Sequence, residues 1–160
     1  MASGNKKISE FRRTSLVHSS LQQVWDFFSS PNNLARITPA YMDFQILSGV
    51  DAQQIYSGMT IKYKVKPLLG IPLTWITRIE SVTPLISFKD IQVQGPYAMW
   101  EHEHIFEVQQ SGVLMQDRVR YNPGFGILGH IANKLFIEKK LAQIFDYREQ
   151  VINNIFPNSK

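Results

Sequence analysis

Residues 95–121 constrain this chain more than any other stretch. They read GPYAMWEHEHIFEVQQSGVLMQDRVRY, two alternating segments joined by the polar turn Gln109-Gln110-Ser111-Gly112. Strand side chains alternate faces. In the first segment Glu101 and Glu103 point one way, and Trp100, His102, His104 and Phe106 the other. In the second, Gln116, Arg118 and Arg120 oppose Val113, Met115, Asp117, Val119 and Tyr121. The charged sets mark the solvent side. Two histidines and an aspartate are left among aromatics, where an ionisable group is costly unless paired or hydrogen-bonded. Such a hairpin either holds a structural polar network or lines a cavity.

A two-residue turn between Gln109 and Gly112 sets the register. Val108 then meets Val113, His104 meets Asp117, and Trp100 meets Tyr121. A slip of one residue would set buried positions against solvent positions, so only slips of two compete. Those would bring Asp117 opposite His102 or Phe106. A His and an Asp on the same face can reach each other across a strand pair.

Outside the hairpin, residues 8–18 read as a strand. Ser20 and Gln23 have the spacing of a capping box. Leu21, Val24, Trp25 and Phe28 follow at helical spacing and predict a short helix. Ser29-Ser30-Pro31 ends it, and Pro31 suits the first position of a second short helix through Leu34 and Ile37 to Pro39. Strand patterns then recur over 43–48, 59–66, 73–82, 86–94, 97–108 and 113–121. One wet and one buried face each is the mark of an antiparallel sheet. In 86–94 both Asp90 with Gln92 and Ile91 with Val93 claim the buried face.

After Asn122-Pro123-Gly124-Phe125-Gly126 the period becomes helical and stays so to Phe156. Leu141, Phe145, Arg148 and Ile152 fall in one narrow sector of that helix. Arg148 either lays its stem on the core and snorkels its head outward, or joins a buried ion pair with Asp117 or Asp90. A single sheet and one long apolar helix stripe bury each other when the sheet wraps the helix. The expected fold class is therefore α+β: a curved seven-stranded antiparallel sheet around a C-terminal helix over 128–156. Two short helices after strand 1 close one end, and a cavity lies between sheet and helix.

The chain has 160 residues with no repeat or long linker, which predicts one domain over 1–160, with 1–7 expected to be disordered. Its 44% hydrophobic and 19% charged content is that of a globular chain rather than a disordered one. Cysteine is absent, which excludes disulfide and thiolate chemistry and suits a reducing cytoplasm, the expected location. No signal peptide or membrane-spanning run is expected. The formal net charge of +4 is too small to argue for nucleic acid, and no zinc finger, RNA-binding signature or basic run supports one.

The element order and several motifs resemble the START-like, or SRPBCC, superfamily. Phe11-Arg12-Arg13-Thr14-Ser15-Leu16, Val24-Trp25-Asp26-Phe27-Phe28 and Asn33-Leu34 are similar to the N-terminal half of bacterial members, including the polyketide cyclase/dehydrase-like and ubiquinone-binding-like groups. Trp75 with Ile79, Phe88-Lys89-Asp90, Gly95-Pro96-Tyr97, the Trp100–Phe106 run, Asp117-Arg118-Val119-Arg120-Tyr121 and Phe145-Asp146-Tyr147-Arg148 resemble a bacterial stand-alone subgroup. The resemblance covers nearly the whole chain. It implies a helix-grip fold around a hydrophobic cavity, and it leaves the ligand unnamed.

Three functional readings follow. The first is binding of a hydrophobic small molecule such as a lipid, quinone or polyketide, since apolar cavities with a few convergent polar groups are the usual ligand sites. Trp75, Ile79, Trp100, Met115, Val119, Tyr121 and Phe145 supply the walls, and Asp90, His102, His104, Asp117 and Arg148 the polar end. The competing account is a filled core with a satisfied polar cluster. The second reading is a cyclase-, dehydratase- or hydrolase-type enzyme, with His102 or His104 oriented by Asp117 as a general base. No nucleophile motif, phosphate loop or dinucleotide fingerprint accompanies it. The third is a membrane-docking, lipid-handling module that makes peripheral membrane contact through Leu68, Leu69 and Ile71 beside Lys62, Lys64 and Lys66. That loop is also expected at the cavity mouth, facing a glycine-hinged lid that carries Phe125 and Ile127. His102, His104 and Asp117 have the composition of a two-His-one-carboxylate metal set. No sequence feature demands a metal, so no metal or cofactor is assigned. Oligomeric state is open.

Overall fold

The computed structural model describes residues 8–49, 51–67, 70–124 and 127–158, with the side chains of 127–134 left aside. The expectation for 1–7 lies outside the described residues. The strands are β1 (Ser9–Val17), β2 (Gln45–Ser48), β3 (Thr60–Val65), β4 (Leu73–Thr83), β5 (Ser87–Gln94), β6 (Met99–Gln109) and β7 (Gly112–Asn122). The α-helices are α1 (Leu21–Phe28) and α2 (Ile127–Ile155). The strands form one seven-stranded sheet in the order β1-β7-β6-β5-β4-β3-β2. Every neighbouring pair is antiparallel.

This order explains where the short helices sit. β1 and β2 follow each other in sequence but occupy opposite edges of the sheet. The chain between them has to cross the sheet's width, and it does so through α1 and two 3-10 segments, Pro31–Ile37 and Ala40–Met42. α1 starts at Ser20, whose Oγ accepts from the Gln23 N–H at 3.3 Å. It buries Val24, Trp25 and Phe27. Trp25 meets Phe88 and Phe106 edge-on, at 6.0 and 5.5 Å.

The second short helix is a 3-10 segment that begins on Pro31. Its bonds run i to i+3, from the Asn33 N–H to Ser30 O at 3.1 Å and from the Thr38 N–H to Ala35 O. It stops where Thr38 precedes Pro39, because proline drives the preceding residue out of the helical region. Thr38 is extended, with φ −105 and ψ 130.

The β6–β7 register has Val108 opposite Val113, His104 opposite Asp117 and Trp100 opposite Tyr121. The competing phases of β5 are resolved by its partners. Phe88 lies opposite His104 and Asp90 opposite His102, so this parity faces inward, while Val93 is 57% exposed. The β4–β5 ladder breaks register twice, with an extra residue on β5 at Ile76/Thr77 and on β4 at Ile79/Ser81, as bulges do. α2 lies on the inner face with Ile137, Leu141, Phe145 and Ile152 buried. Phe145 meets Phe11 of β1 at 5.2 Å, and Arg13 pairs with Glu149 at 2.9 Å and with Asp146. No helix among the described residues is long and apolar enough to cross a membrane.

Gly112 opens β7 with φ +146, and a Cβ there would stand 2.2 Å from the Val17 carbonyl oxygen. Only glycine lets the end of β1 close on the hairpin. Gly112→Ala is expected to lower stability by about 1–3 kcal/mol. Urea unfolding measures this, and an unchanged midpoint would contradict it.

Candidate functional site

A cavity of about 190 Å3 lies between the inner face of the sheet, α2 and the 3-10 segments. Its floor is aromatic. Trp75 meets Trp100 edge-on at 5.3 Å and Tyr97 at 5.7 Å, and Tyr63 stacks on Trp75 at 6.0 Å. The Tyr63 hydroxyl is 3.0 Å from Thr77 Oγ1, so one polar pair in this wall is satisfied internally. Burial holds the Tyr63 and Tyr97 phenols above their ordinary range. Leu34, Ile37 and Met42 from the 3-10 segments close the end opposite the sheet.

One wall is polar, and sheet pairing builds it. Asp90 and His102 are cross-strand partners on β5 and β6. His104 and Asp117 are partners on β6 and β7. The hydrogen bond takes the diagonal: His102 Nε2 donates to Asp117 Oδ1 at 2.8 Å. His104 Nδ1 lies 2.9 Å from the same oxygen but has no hydrogen bond. The two imidazoles are 3.9 Å apart between centroids, and His104 stacks on Phe88 at 4.2 Å. His102 Nδ1 faces Asp90 Oδ2 at 3.8 Å.

Arg148 enters from α2. Its side chain is 13% exposed, with Nη1 3.7 Å from Asp117 Oδ1 and its guanidinium carbon 4.6 Å from the Phe145 ring centroid. Of the two accounts of this residue, the snorkelling one does not describe it. The head stays inside, in ion-pair range of Asp117 but beyond hydrogen-bonding distance.

These contacts set the charge states. Burial alone would raise the Asp117 carboxyl, but the two histidines outweigh it and hold it well below the ordinary carboxylate range. Asp90 has weaker partners. Burial pushes its carboxyl up to about 6, with His102 and Arg148 pulling the other way. His102 is lowered by burial and by its neighbour His104, against the pull of Asp117 and Asp90. Asp117 is the permanent anion of the cluster, Arg148 its cation, and His102 is biased towards neutral.

Of the residues expected at the site, Trp75, Ile79, Asp90, Trp100, His102, His104, Phe145 and Arg148 line the cavity. Met115, Asp117, Val119 and Tyr121 take other places. Val119 and Tyr121 are fully buried and pack against Ile137, Leu141 and Phe145 of α2. Met115 belongs to the core cluster with Val17, Trp25 and Ile152. Asp117 stands behind the histidines and borders a small crevice with Ser15, Phe28 and Glu149. β7 runs beneath α2, so its inward side chains meet the helix instead of open space. Alternation gives the face of a side chain and not what stands opposite it.

At the expected mouth, Leu68, Leu69 and Phe125 lie outside the described residues, as does the side chain of Ile127, so the lid lies outside them too. Ile71 is 60% exposed, and Lys66 is engaged by Asp43 at 2.8 Å. Phe88, Tyr63, Tyr97 and Lys140 line the cavity without having been singled out. Phe88 shares the parity of Asp90, and Tyr63 that of the buried Ile61 and Val65, so the alternation carried the signal for both.

No protein-family model matches this sequence, and no curated protein matches it. Solved structures do. A protein of Chromobacterium violaceum superposes with a TM-score of 0.70 at 11% identity, over 94% of this chain and 98% of its own. The di-domain ARO/CYC StfQ of the steffimycin biosynthetic pathway gives 0.72 at 9% identity, over 93% of this chain and 51% of its own. Ara h 8.0201 gives 0.61 at 12% identity, over 92% and 99%. At such identities the likeness is one of fold alone: a helix grip, an antiparallel sheet around a long C-terminal helix.

Removing the anion strands Arg148 and the histidines. Asp117→Ala is expected to cost about 3–5 kcal/mol, as for a broken buried pair. Glu101→Ala, which loses only the outer-face bond from Arg120 at 2.8 Å, is expected to cost less than about 1 kcal/mol. Parallel urea titrations compare the two, and equal losses would place Asp117 outside any buried network.

Proposed function

Taking the helix grip as premise, we propose that this protein binds a hydrophobic small molecule in the cavity between the sheet and α2. The molecule's oxygen-bearing end lies at Asp90, His102, His104 and Arg148. One observation carries this reading. Trp75 Nε1, and Nε and Nη1 of Arg148, are buried without a hydrogen-bond partner among the described residues, and both residues line the same cavity. Buried polar groups are nearly always satisfied. Acceptor oxygens inside the cavity would satisfy these nitrogens, while the aromatic floor would cover an apolar body. Lipids, quinones and polyketides share that chemistry.

A second reading has its own support. The His102–Asp117 pair has the form of an oriented general base, since a carboxylate on one ring nitrogen directs the other. The shared fold with an ARO/CYC protein favours a cyclase- or dehydratase-type reaction over a hydrolytic one. Turnover of a cyclisable polyketide model, lost in His102→Ala, separates catalysis from binding. Exposed Ile71, with Lys62 and Lys64 outward on β3, supports peripheral membrane contact, which salt-sensitive pelleting with anionic vesicles would reveal.

Anilinonaphthalene sulfonate, an apolar aromatic anion, is expected to bind saturably and to quench Trp75 and Trp100. Arg148→Met is expected to weaken it about tenfold, the factor for one lost charge-assisted bond. Native mass spectrometry of freshly purified protein is expected to show a retained small molecule. Absence of saturable probe binding would overturn the cavity reading.

A further inference from the structure

Asp90 is the member of the polar wall that the network leaves unsatisfied. Among the described residues its carboxylate receives no hydrogen bond, and its nearest ion-pair partner is His102 Nδ1 at 3.8 Å. That nitrogen cannot serve it in the neutral ring. His102 gives its proton, on Nε2, to Asp117 at 2.8 Å. Nδ1 is then a lone pair that faces a carboxylate oxygen. Two acceptors held face to face in a low-dielectric wall repel unless a proton or a metal cation stands between them.

We infer that Asp90, His102 and His104 form a binding site for a divalent first-row transition metal ion such as Zn2+ or Fe2+. One ligand atom from each of the three lies within 4.8 Å of the others. Two imidazoles and a carboxylate are a donor set that suits these ions. With bonds of about 2.0–2.2 Å, neighbouring ligand atoms at tetrahedral angles stand about 3.4 Å apart. The 3.8 Å between Asp90 and His102 exceeds this by about 0.4 Å, and the 4.8 Å span of the whole set by about 1.4 Å, so the side chains would draw together on an ion.

The carboxylate in contact with the ion is thus Asp90 and not Asp117. Asp117 takes the supporting role: it lies against one ring nitrogen of each histidine, at 2.8 and 2.9 Å. This is the arrangement by which metal-binding histidines are oriented and made more basic. It leaves Nδ1 of His102 and Nε2 of His104 for the ion. The charges also suit a cation. Arg148 lies near Asp117, 3.7 Å away, which leaves Asp90 to neutralise the metal. Three protein ligands leave coordination positions open, as in sites that take up water or substrate. All three residues line the cavity, so the open positions face it. Resting on the proposed function, the ion would take the ligand's carbonyl or hydroxyl oxygen, which commits the ligand to an oxygen donor at its buried end.

The test uses the full chain, stripped with EDTA and checked for fold by circular dichroism. Co2+ is titrated in and its visible absorption followed. Saturation at one ion per chain is expected. His102→Ala and His104→Ala should each abolish it, and Asp90→Asn should weaken it more than about tenfold. Asp117→Asn, which changes the support and no ligand, should weaken it about 10–100-fold. Because Asp117 also stabilises the core, Asp90→Asn on the cavity wall is the deciding variant. No saturable absorption in folded wild-type protein overturns the inference, as does Asp90→Asn protein that binds Co2+ as tightly as wild type. Anilinonaphthalene sulfonate binding is read in the same stripped sample. Probe binding without metal binding overturns the metal site and leaves the ligand cavity standing, and metal binding without probe binding does the reverse.

Discussion

The carboxylate of Asp117 is the contact on which the inner wall depends. It is 4% exposed, and one of its oxygens lies within 4 Å of His102, His104 and Arg148. A charge so placed is tolerable only because three groups, two from β6 and one from α2, converge on it. The convergence also works in reverse. It holds β6 to β7 on the diagonal as well as across, and it draws the α2 arginine towards the sheet. Two rings that would otherwise be free to rotate are held on the cavity wall. A structural network and an open polar wall are therefore not alternatives here. Its inner half supports the fold, and its outer half, Asp90 with the free edges of the imidazoles, faces the cavity.

The topology explains why a cavity persists beside so tight a cluster. β7, at one side of the sheet, packs Val119 and Tyr121 on Ile137, Leu141 and Phe145 of α2, with Phe11 of β1 beside them. β3 and β4, at the other side, pack Val65 and Trp75 with Met42 and with Ile144 of the helix. The chain between β1 and β2 crosses this gap with 3-10 turns, whose few apolar side chains cap the space without filling it. The β4–β5 ladder breaks register twice on this side of the sheet. The empty volume thus follows from strand order and curvature more than from any one small side chain.

Orphaned donors on such a wall carry information about what fills it. Apolar side chains only require that water leave, so they select shape weakly. Trp75 Nε1 and the guanidinium of Arg148 require an acceptor at a fixed place. The aromatic floor and the polar wall stand on neighbouring strands, β4 to β6, and present a bound molecule with an apolar surface and a hydrogen-bonding surface side by side. Binding, proton transfer and metal coordination draw on the same few side chains. They differ in whether His102 Nδ1 meets a hydroxyl proton, a reacting carbon's proton or a cation.

The sequence alone determined the sheet, the long helix and the inward parity of His102, His104 and Asp117. Those follow from periodicity and from a turn whose competing registers, two residues apart, keep the same parity, both local properties of the chain. It also marked Arg148 as anomalous, a charge in an apolar stripe. What it could not hold was anything that depends on the distance between faces. Met115, Val119 and Tyr121 share the parity of cavity residues, yet α2 presses on β7 and closes the space above them. The phase of β5 was undecided until pairing with β6 set Asp90 opposite His102. The division of labour between the two aspartates arose the same way: Asp117 lies beneath the rings and Asp90 beside them. Only the packing of helix on sheet decides which inward side chains meet protein and which meet empty space, because that choice is made by elements far apart in the chain.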